Sequence, residues 1–226
     1  RQMCIRDRVV VSQFMLTFGS DPNAKVTKKS KSPLSFHPIA LIFGLLSFVS
    51  YLVEGAVGDW SALYLFEDKG IVIEEAVMGV MLFNGTMCIG RLLGNRLGKH
   101  LTSKQVVVGG YLLGSIAMGL IVFLPGHASM YTYLLLGISL AMIVPNLFSA
   151  MGEQNVIPMT QAVATSTMLG YMGILMGPAL IGFIAHGTSL TVAFIVLTTL
   201  LVVSAGIGKY AYHLMSKDCG LSEEQI

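Results

Sequence analysis

Two carboxylates, Glu54 and Asp59, interrupt a long apolar run in the stretch EGAVGDWSALYL, residues 54–65. A charge at the bilayer centre costs about 2.5–3.5 kcal/mol, so an intramembrane carboxylate usually lines a cavity, meets a partner or acts. Glu54 lies about 24 Å along the helix that this run predicts, in the outer half of the membrane core. Tyr51 lies one turn earlier on the same helix face. The two residues predict a polar stripe on an otherwise apolar helix.

Two interpretations of Glu54 are open. As a cavity-facing carboxylate it would bind substrate or take up a proton, and as a structural group it would hydrogen-bond to a neighbouring helix. Asp59 lies about a turn and a half further along, at the outer interface, where we expect the Trp60 indole to anchor the helix at the membrane surface. For Asp59 we weigh an ordinary interfacial position against the outer rim of a cavity.

Asn84, Asn146 and Tyr171 are further candidates for a substrate or proton pathway. The Asn84 amide offers donors and an acceptor, which suit either a polyhydroxylated or amide-bearing substrate or an interhelical hydrogen bond. Asn146 follows Pro145, which leaves a carbonyl unpaired in the preceding turn, so Asn146 either satisfies that carbonyl or faces the cavity. Tyr171 is either a cavity-lining or a packing residue.

The amino-acid composition predicts whether these residues lie in water or in lipid. The chain has 226 residues, 54% hydrophobic and 12% charged, with a mean hydropathy of +0.74. Soluble domains carry about 25% charged residues, so the lipid bilayer is the predicted partner. A net charge of +2, with basic residues in short loops, argues against a nucleic-acid binder. Cysteines without CxxC spacing, histidines without metal-ligand spacing and no GxSxG or HExxH motif predict no metal, no cofactor and no enzyme.

Six segments have the length of about 20 mostly apolar residues that a membrane span needs. Only helices or closed barrels satisfy the backbone in lipid, and segments of this length are helices. The sequence therefore predicts an all-α polytopic membrane protein. The predicted spans are 38–66, 75–97, 104–125, 129–151, 160–186 and 190–214.

The basic residues between the spans and near the span ends predict the orientation. With six spans threaded, ten Lys and Arg fall on one side and Lys69 alone on the other, beside the acidic loop FEDKGIVIEE. Lys and Arg favour the cytoplasmic side, so that loop is predicted outside, and the 19–36 linker and the C-terminus inside. The ten are Lys25, Lys28, Lys29, Lys31, Arg91, Arg96, Lys99, Lys104, Lys209 and Lys217.

Four stretches in this order resemble the C-terminal half of a major facilitator superfamily (MFS) transporter from a bacterial branch. They are EGAVGDWSALYL, GRLLGNRLGKHL (90–101), IVPNLFSAMG (143–152) and GYMGILMGPALIGFIAHGTSL (170–190). The second is similar to the superfamily's cytoplasmic loop motif, here Gly90, Arg91, Gly94, Arg96 and Gly98. Members often have Asp where this chain has Asn95, which weakens any charge-latch role of the loop. We expect Arg91 and Arg96 to act as cytoplasmic anchors, with a gating contact as the alternative.

The resemblance implies a division of the chain. Residues 1–8, RQMCIRDR, resemble translated adapter sequence and are expected to be a sequencing or assembly artefact, the alternative being a basic cytoplasmic stretch. Residues 9–37 would be the cytoplasmic linker between two halves, with room for the end of a preceding helix. Residues 38–215 would be the C-terminal six-helix bundle, and 216–226 a cytoplasmic tail. The natural chain would then continue upstream into an N-terminal half.

The resemblance also implies a function. The expected protein is a secondary active transporter, present as a fragment, that moves a small polar solute across the bacterial inner membrane by alternating access. Proton coupling is expected, and a sugar or related metabolite is the favoured solute. The alternatives are a non-transporting six-helix scaffold or regulatory subunit, and a half-transporter that dimerises with itself.

Overall fold

The computed structural model describes residues 37–97, 101–153 and 157–219, without the side chains of 95–97, 153, 218 and 219. This part of the chain forms helices and no strand. The helices are α1 (Pro38–Glu67), α2 (Ile73–Leu97), α3 (Ser103–Phe123), α4 (Gly126–Ala141), α5 (Ile143–Glu153), α6 (Met159–Gly187) and α7 (Leu190–Cys219). The predicted artefact at 1–8 and nearly all of the 9–37 linker lie outside the described residues, as do Gly98 and the end of the tail.

All six predicted spans are confirmed as helices long and apolar enough to cross a membrane. The fourth span, Gly126–Gly152, is interrupted at Met142, so α4 and α5 together make one crossing. Pro145 explains the break, because it has no backbone N–H to donate to the previous turn. The Asn146 side-chain amide donates to the Met142 carbonyl at 2.8 Å, and the Asn146 backbone N–H donates to the same carbonyl at 3.2 Å. The carbonyl that Pro145 leaves without its helical donor is that of Ala141, four residues earlier, so this bond does not satisfy it. Both interpretations of Asn146 stay predictions.

Local sequence signals mark two helix starts. His37 precedes Pro38 at the start of α1, and its Nδ1 accepts a hydrogen bond from the Ile39 N–H at 3.4 Å. Thr102 and Gln105 form a capping box at the start of α3, with reciprocal hydrogen bonds of 3.3 and 3.1 Å. Each cap satisfies backbone donors that a helix start leaves without an intrahelical partner.

Small residues bring α1 and α6 into direct backbone contact. A Cβ atom at Gly55 would lie 2.8 Å from the Ile174 carbonyl oxygen, and Gly173 and Gly177 face the carbonyls of Phe48 and Leu52. In lipid, close approach of this kind replaces the hydrophobic driving force between helices. Gly173 and Gly177 have the GxxxG spacing that allows two helices to approach closely.

Further glycines allow close packing of α2 and α3 against α4 and the residues that follow it. Gly90 faces Ala141, Gly94 faces Met142, and Gly110 lies where a Cβ would be 2.8 Å from the Ser139 carbonyl oxygen. Gly90 and Gly94 of the loop motif lie in α2, and both serve packing against the end of α4.

Trp60 contacts α6. Its indole Nε1 donates to the Pro178 carbonyl of α6 at 3.0 Å. The position of the indole at the membrane surface stays a prediction. The ring lies over Gly182, where a Cβ would be 2.9 Å from it. A buried indole N–H usually finds an acceptor, and the small residue on α6 leaves room for the ring. Trp60 therefore joins α1 to α6.

Candidate functional site

An ion pair joins α1 and α2, and each partner lies within a candidate membrane span, Arg91 in the second, Ile73–Gly94. The Arg91 guanidinium donates from one nitrogen to both oxygens of Glu54, at 3.1 and 3.3 Å. Measured from the loop that joins the two helices, Glu54 lies about 20 Å along α1 and Arg91 about 27 Å along α2. The two long side chains span this difference along the helix axes.

The pair gives Arg91 a partner on α1, three residues before the end of the second candidate span. Glu54 lies 16 residues after the start of the 30-residue helix α1, close to its middle. The anchoring role of Arg91 and the depth of Glu54 in the membrane stay predictions. Of the two interpretations of Glu54, the contact to a neighbouring helix is present, and it is ionic.

Two tyrosines adjoin the ion pair. The rings of Tyr51 on α1 and Tyr171 on α6 stack with centroids 6.3 Å apart and an interplanar angle of 13°. Tyr51 also lies within electrostatic range of Glu54 and Arg91. Gly170 makes the stack possible, since a Cβ there would lie 2.7 Å from the Tyr51 ring. The structure therefore brings three helices together around one aromatic and charged cluster, which we call the Glu54 cluster: Tyr51, Glu54, Arg91 and Tyr171.

The Glu54 cluster lies on an open face of the bundle. The Glu54 and Arg91 side chains are 22% and 44% exposed, and Tyr171 is 62% exposed. On α2, Asn84 and Cys88 are also exposed and precede Arg91 by seven and three residues, which places them on about the same helix face. A partly exposed ion pair cannot face hydrocarbon at low cost, so this face is suited to water or protein.

Asn84 and Asp59 lie further from the ion pair. The Asn84 amide donates to the Val80 carbonyl of its own helix at 3.0 Å, so its amide makes that intrahelical bond rather than the predicted interhelical one. Asp59 is exposed five residues after Glu54, which rotates it about 140° around the helix. Asp59 therefore does not share the face of Glu54, and its position fits the interfacial interpretation.

The end of the bundle that carries the loop between α1 and α2 has separate polar contacts. The Lys69 ammonium donates to the Val122 carbonyl at 2.6 Å and lies 5.3 Å from the centre of the Tyr64 ring. Burial there lowers the pKa of Lys69, and the charge of Asp68 opposes that change. His127 and Glu75 pair at 2.7 Å between α4 and α2. The first contact connects the loop after α1 to α3, and the second connects α4 to α2. None of these residues belongs to the Glu54 cluster.

Arg91 was not predicted as the partner of Glu54. The available signal was periodicity: Arg91 continues the face of Asn84 and Cys88, and it precedes the end of α2 by six residues. Arg96 and Asn95 have no described side chains, so their predicted roles lie outside the described part of the structure. Among the described residues, no group of three or more His, Cys, Asp or Glu could hold a metal ion.

No protein-family model matches the chain. Curated relatives do match it, among them two bacterial membrane proteins. An uncharacterised MFS-type transporter of Yersinia pestis is 41% identical over 168 residues, which is 73% of this chain and 43% of that protein. The membrane protein MosC of Rhizobium meliloti is 30% identical over 170 residues, 74% of this chain and 42% of that protein. The chain thus spans less than half the length of these relatives.

Two solved structures have a similar arrangement of helices. The E. coli fucose:proton symporter FucP matches with a TM-score of 0.68 at 16% identity, over 77% of this chain and 43% of that protein. A peptide transporter, POT, crystallised with sulfate, matches with a TM-score of 0.64 at 15% identity, over 83% of this chain and 41% of that protein. At these identities the similarity concerns the fold, and in both cases it covers about half of the larger protein.

Proposed function

The chain belongs to the major facilitator superfamily and has the fold of one six-helix half, and from this premise we propose that it is the C-terminal half of a secondary transporter. The proposed cargo is a small polar solute, moved by alternating access and coupled to protons. The missing N-terminal half would complete the binding site. The proposed location is the bacterial inner membrane, with the linker and the C-terminus in the cytoplasm.

One observation carries the proposal: the partly exposed Glu54–Arg91 pair, whose two residues lie in two candidate membrane spans. A scaffold that faced only lipid would gain nothing from an ion pair on an open face, since desolvation opposes its formation. A transporter half needs such groups where its face lines the path between halves. The pair therefore favours transport over the scaffold alternative.

The proposed coupling uses competition between the Glu54 carboxylate and the solute for the Arg91 guanidinium. When a proton binds the Glu54 carboxylate, its attraction for the Arg91 guanidinium falls and Arg91 can turn toward an acceptor on the solute. When the solute leaves, Arg91 returns and the proton is released. The cycle takes up one proton at a Glu54 carboxylate oxygen and releases it from the same oxygen. The protein therefore ends the cycle with the charge and protonation with which it began. The requirement is that solute and carboxylate compete for one guanidinium.

The proposed solute class follows from the groups that the Glu54 cluster presents. The stacked Tyr51 and Tyr171 rings offer apolar faces, and the ion pair offers both a donor and an acceptor. Binding sites for small molecules combine such apolar walls with a few orienting polar groups. A sugar or related metabolite has both kinds of surface, which supports it as the favoured solute.

Thiol labelling of Cys88 tests whether the open face meets water. In a Cys4→Ser, Cys219→Ser background, we expect a membrane-impermeant cationic methanethiosulfonate reagent to label Cys88 in intact membrane vesicles. The reason is that Cys88 is exposed on the α2 face that leads to Arg91. The matched lipid-facing position is Ile116→Cys on α3, which is 58% exposed, with Cys88→Ser added. That variant should react only with a membrane-permeant maleimide.

Equal and slow reaction of both positions with the cationic reagent would mean that the Cys88 face is covered by lipid, and the transport proposal would fail. Because relatives are longer than this chain, the labelling should also be run on the gene product read from the surrounding genomic DNA. An in-frame upstream extension long enough for six more spans would support the half-transporter, at about 20 residues per span. A start codon just upstream would favour a self-dimerising or scaffold protein instead.

A further inference from the structure

A cavity opens where α1 and α6 end and α7 begins. Its volume is about 540 Å³, within the range of about 300–1,000 Å³ that small-molecule sites have. Its wall includes the Trp60 indole, the carboxylates of Glu67 and Asp68, and the His186 imidazole. None of these residues belongs to the Glu54 cluster, and the proposed transport cycle does not use them. The cavity is therefore a candidate for a second binding site.

Two contacts between helices hold the wall of this cavity in place. The Asp68 carboxylate accepts a hydrogen bond from the Thr191 hydroxyl at 2.9 Å, which joins the end of α1 to the start of α7. The Trp60 indole donates to the Pro178 carbonyl at 3.0 Å and joins α1 to α6. An anionic group and an aromatic group of the wall are thus each positioned by a neighbouring helix.

The wall of the cavity is acidic. With histidine counted as neutral at pH 7, its lining residues carry two negative charges, on Glu67 and Asp68, and no positive charge. Lys69 follows directly but is not part of the lining, because its ammonium donates to the Val122 carbonyl of α3 at 2.6 Å. Lys69 lies within electrostatic range of Asp68 and offsets part of that charge. The Glu67 charge adds to what remains.

The ends of the helices add to the negative potential. α1 ends at Glu67 and α6 at Gly187, both beside the cavity, and a helix C-terminus carries a partial negative charge. α7 begins there and contributes the opposite sign. The Ser189 hydroxyl accepts a hydrogen bond from the Val192 N–H at 3.2 Å, which satisfies one of the free donors of that helix start. The sum of these partial charges favours a cation.

The geometry favours an organic cation over a metal ion. Within the described residues, the two carboxylates and the imidazole of the wall do not form a group that could hold a metal ion. A larger cation can interact with both carboxylates without their converging on one point. An indole such as that of Trp60 is the aromatic group that attracts a cation best. Leu63 and Leu190 supply apolar wall for the carbon substituents of the cation.

We propose that this cavity binds a soluble alkylammonium ion. Glu67 and Asp68 neutralise its charged nitrogen, the Trp60 indole attracts it through the ring, and the apolar wall contacts its carbon substituents. The ammonium of a phosphatidylethanolamine headgroup fits less well, because the lipid phosphate would lie beside the two carboxylates. By the predicted orientation, the cavity opens on the outer side of the membrane.

Titration of the purified 226-residue chain with choline tests the proposal. Trp60 is the single tryptophan and part of the cavity wall, so its emission reports occupancy directly. The matched comparison is dimethylbutanol, in which a carbon atom replaces the charged nitrogen of choline. We expect a saturable change in Trp60 emission with choline, and binding of the alcohol that is weaker by on the order of 10-fold, since the alcohol keeps the shape and loses the charge. Calorimetry would give the same two affinities independently of emission.

Charge variants identify the groups that hold the cation. Glu67→Gln and Asp68→Asn should each weaken choline binding about 3-fold, and the double variant about 10-fold, because both carboxylates are exposed and each contributes modestly. Glu74→Gln is the matched control and should bind choline as the parent chain does. Glu74 is an exposed carboxylate in the first turn of α2, at the same end of the bundle, and it does not line the cavity.

Four results would overturn the proposal. Neither Trp60 emission nor calorimetry could detect choline binding. Choline and dimethylbutanol could bind equally well, which would identify an apolar pocket without charge selection. The double variant of Glu67 and Asp68 could bind choline no more weakly than Glu74→Gln. Phosphatidylethanolamine added to the detergent micelles could displace choline, which would assign the cavity to a lipid headgroup. None of these measurements involves solute uptake, so they are independent of the transport proposal.

Discussion

Glu54→Gln should reduce proton-coupled uptake by on the order of 100-fold, equivalent to about 2.7 kcal/mol, while the protein remains in the membrane. The substitution keeps the size and hydrogen-bonding capacity of the side chain but removes its charge and its ability to take up a proton. It also leaves the Arg91 guanidinium without its ionic partner. Uptake of radiolabelled solutes into vesicles, with and without a pH gradient, measures the effect in the complete gene product.

The partner variants separate a transport role from a structural one. Arg91→Gln should also abolish uptake, and the double variant Glu54→Gln, Arg91→Gln should insert and fold better than either single variant, because it removes both charges together. If the pair served structure alone, the double variant would recover uptake along with folding. Recovered uptake in the double variant, or unchanged pH-dependent uptake in Glu54→Gln, would remove Glu54 from the transport path.

Gly177→Leu should prevent stable packing of α1 against α6 and give the largest loss of folded protein among single substitutions in the bundle. Gly177 faces the Leu52 carbonyl, and a backbone atom cannot move aside as a flexible side chain can. Overpacking typically costs about 1–3 kcal/mol, and we expect the upper end here. The single tryptophan, Trp60, reports the change directly, because its indole bridges the same two helices.

Gly58→Leu is the matched control for Gly177→Leu. Gly58 lies within α1, and a Cβ there meets nothing within 4 Å. Since leucine is a better helix former than glycine by up to about 1 kcal/mol, this variant should unfold at the same temperature as the parent chain or slightly higher. Thermal unfolding in detergent, followed by Trp60 emission, compares the two. Equal melting of both variants would show that α1 and α6 do not approach as closely as the structure describes.

Much of the fold could be predicted from the sequence because the determining interactions are local. Whether a segment such as 190–214 crosses the membrane depends on the summed transfer free energy of its own residues. The helix break near Pro145 and the close contact at Gly173 and Gly177 also follow from residue type and spacing within one segment. For the same reason, Glu54 could be identified as a functional candidate without knowledge of its surroundings.

The partners of these residues were decided only by the tertiary structure. Arg91 is 37 positions from Glu54, and the Pro178 carbonyl is 118 positions from Trp60, so no spacing rule joins them. Their contacts depend on how each helix is rotated and shifted against its neighbours. Between α1 and α6, the packing of small residues sets this rotation and shift. The sequence by itself therefore determined six membrane helices and an intramembrane carboxylate. The packing of those helices decided that the carboxylate meets an arginine beside two stacked tyrosines on one open face.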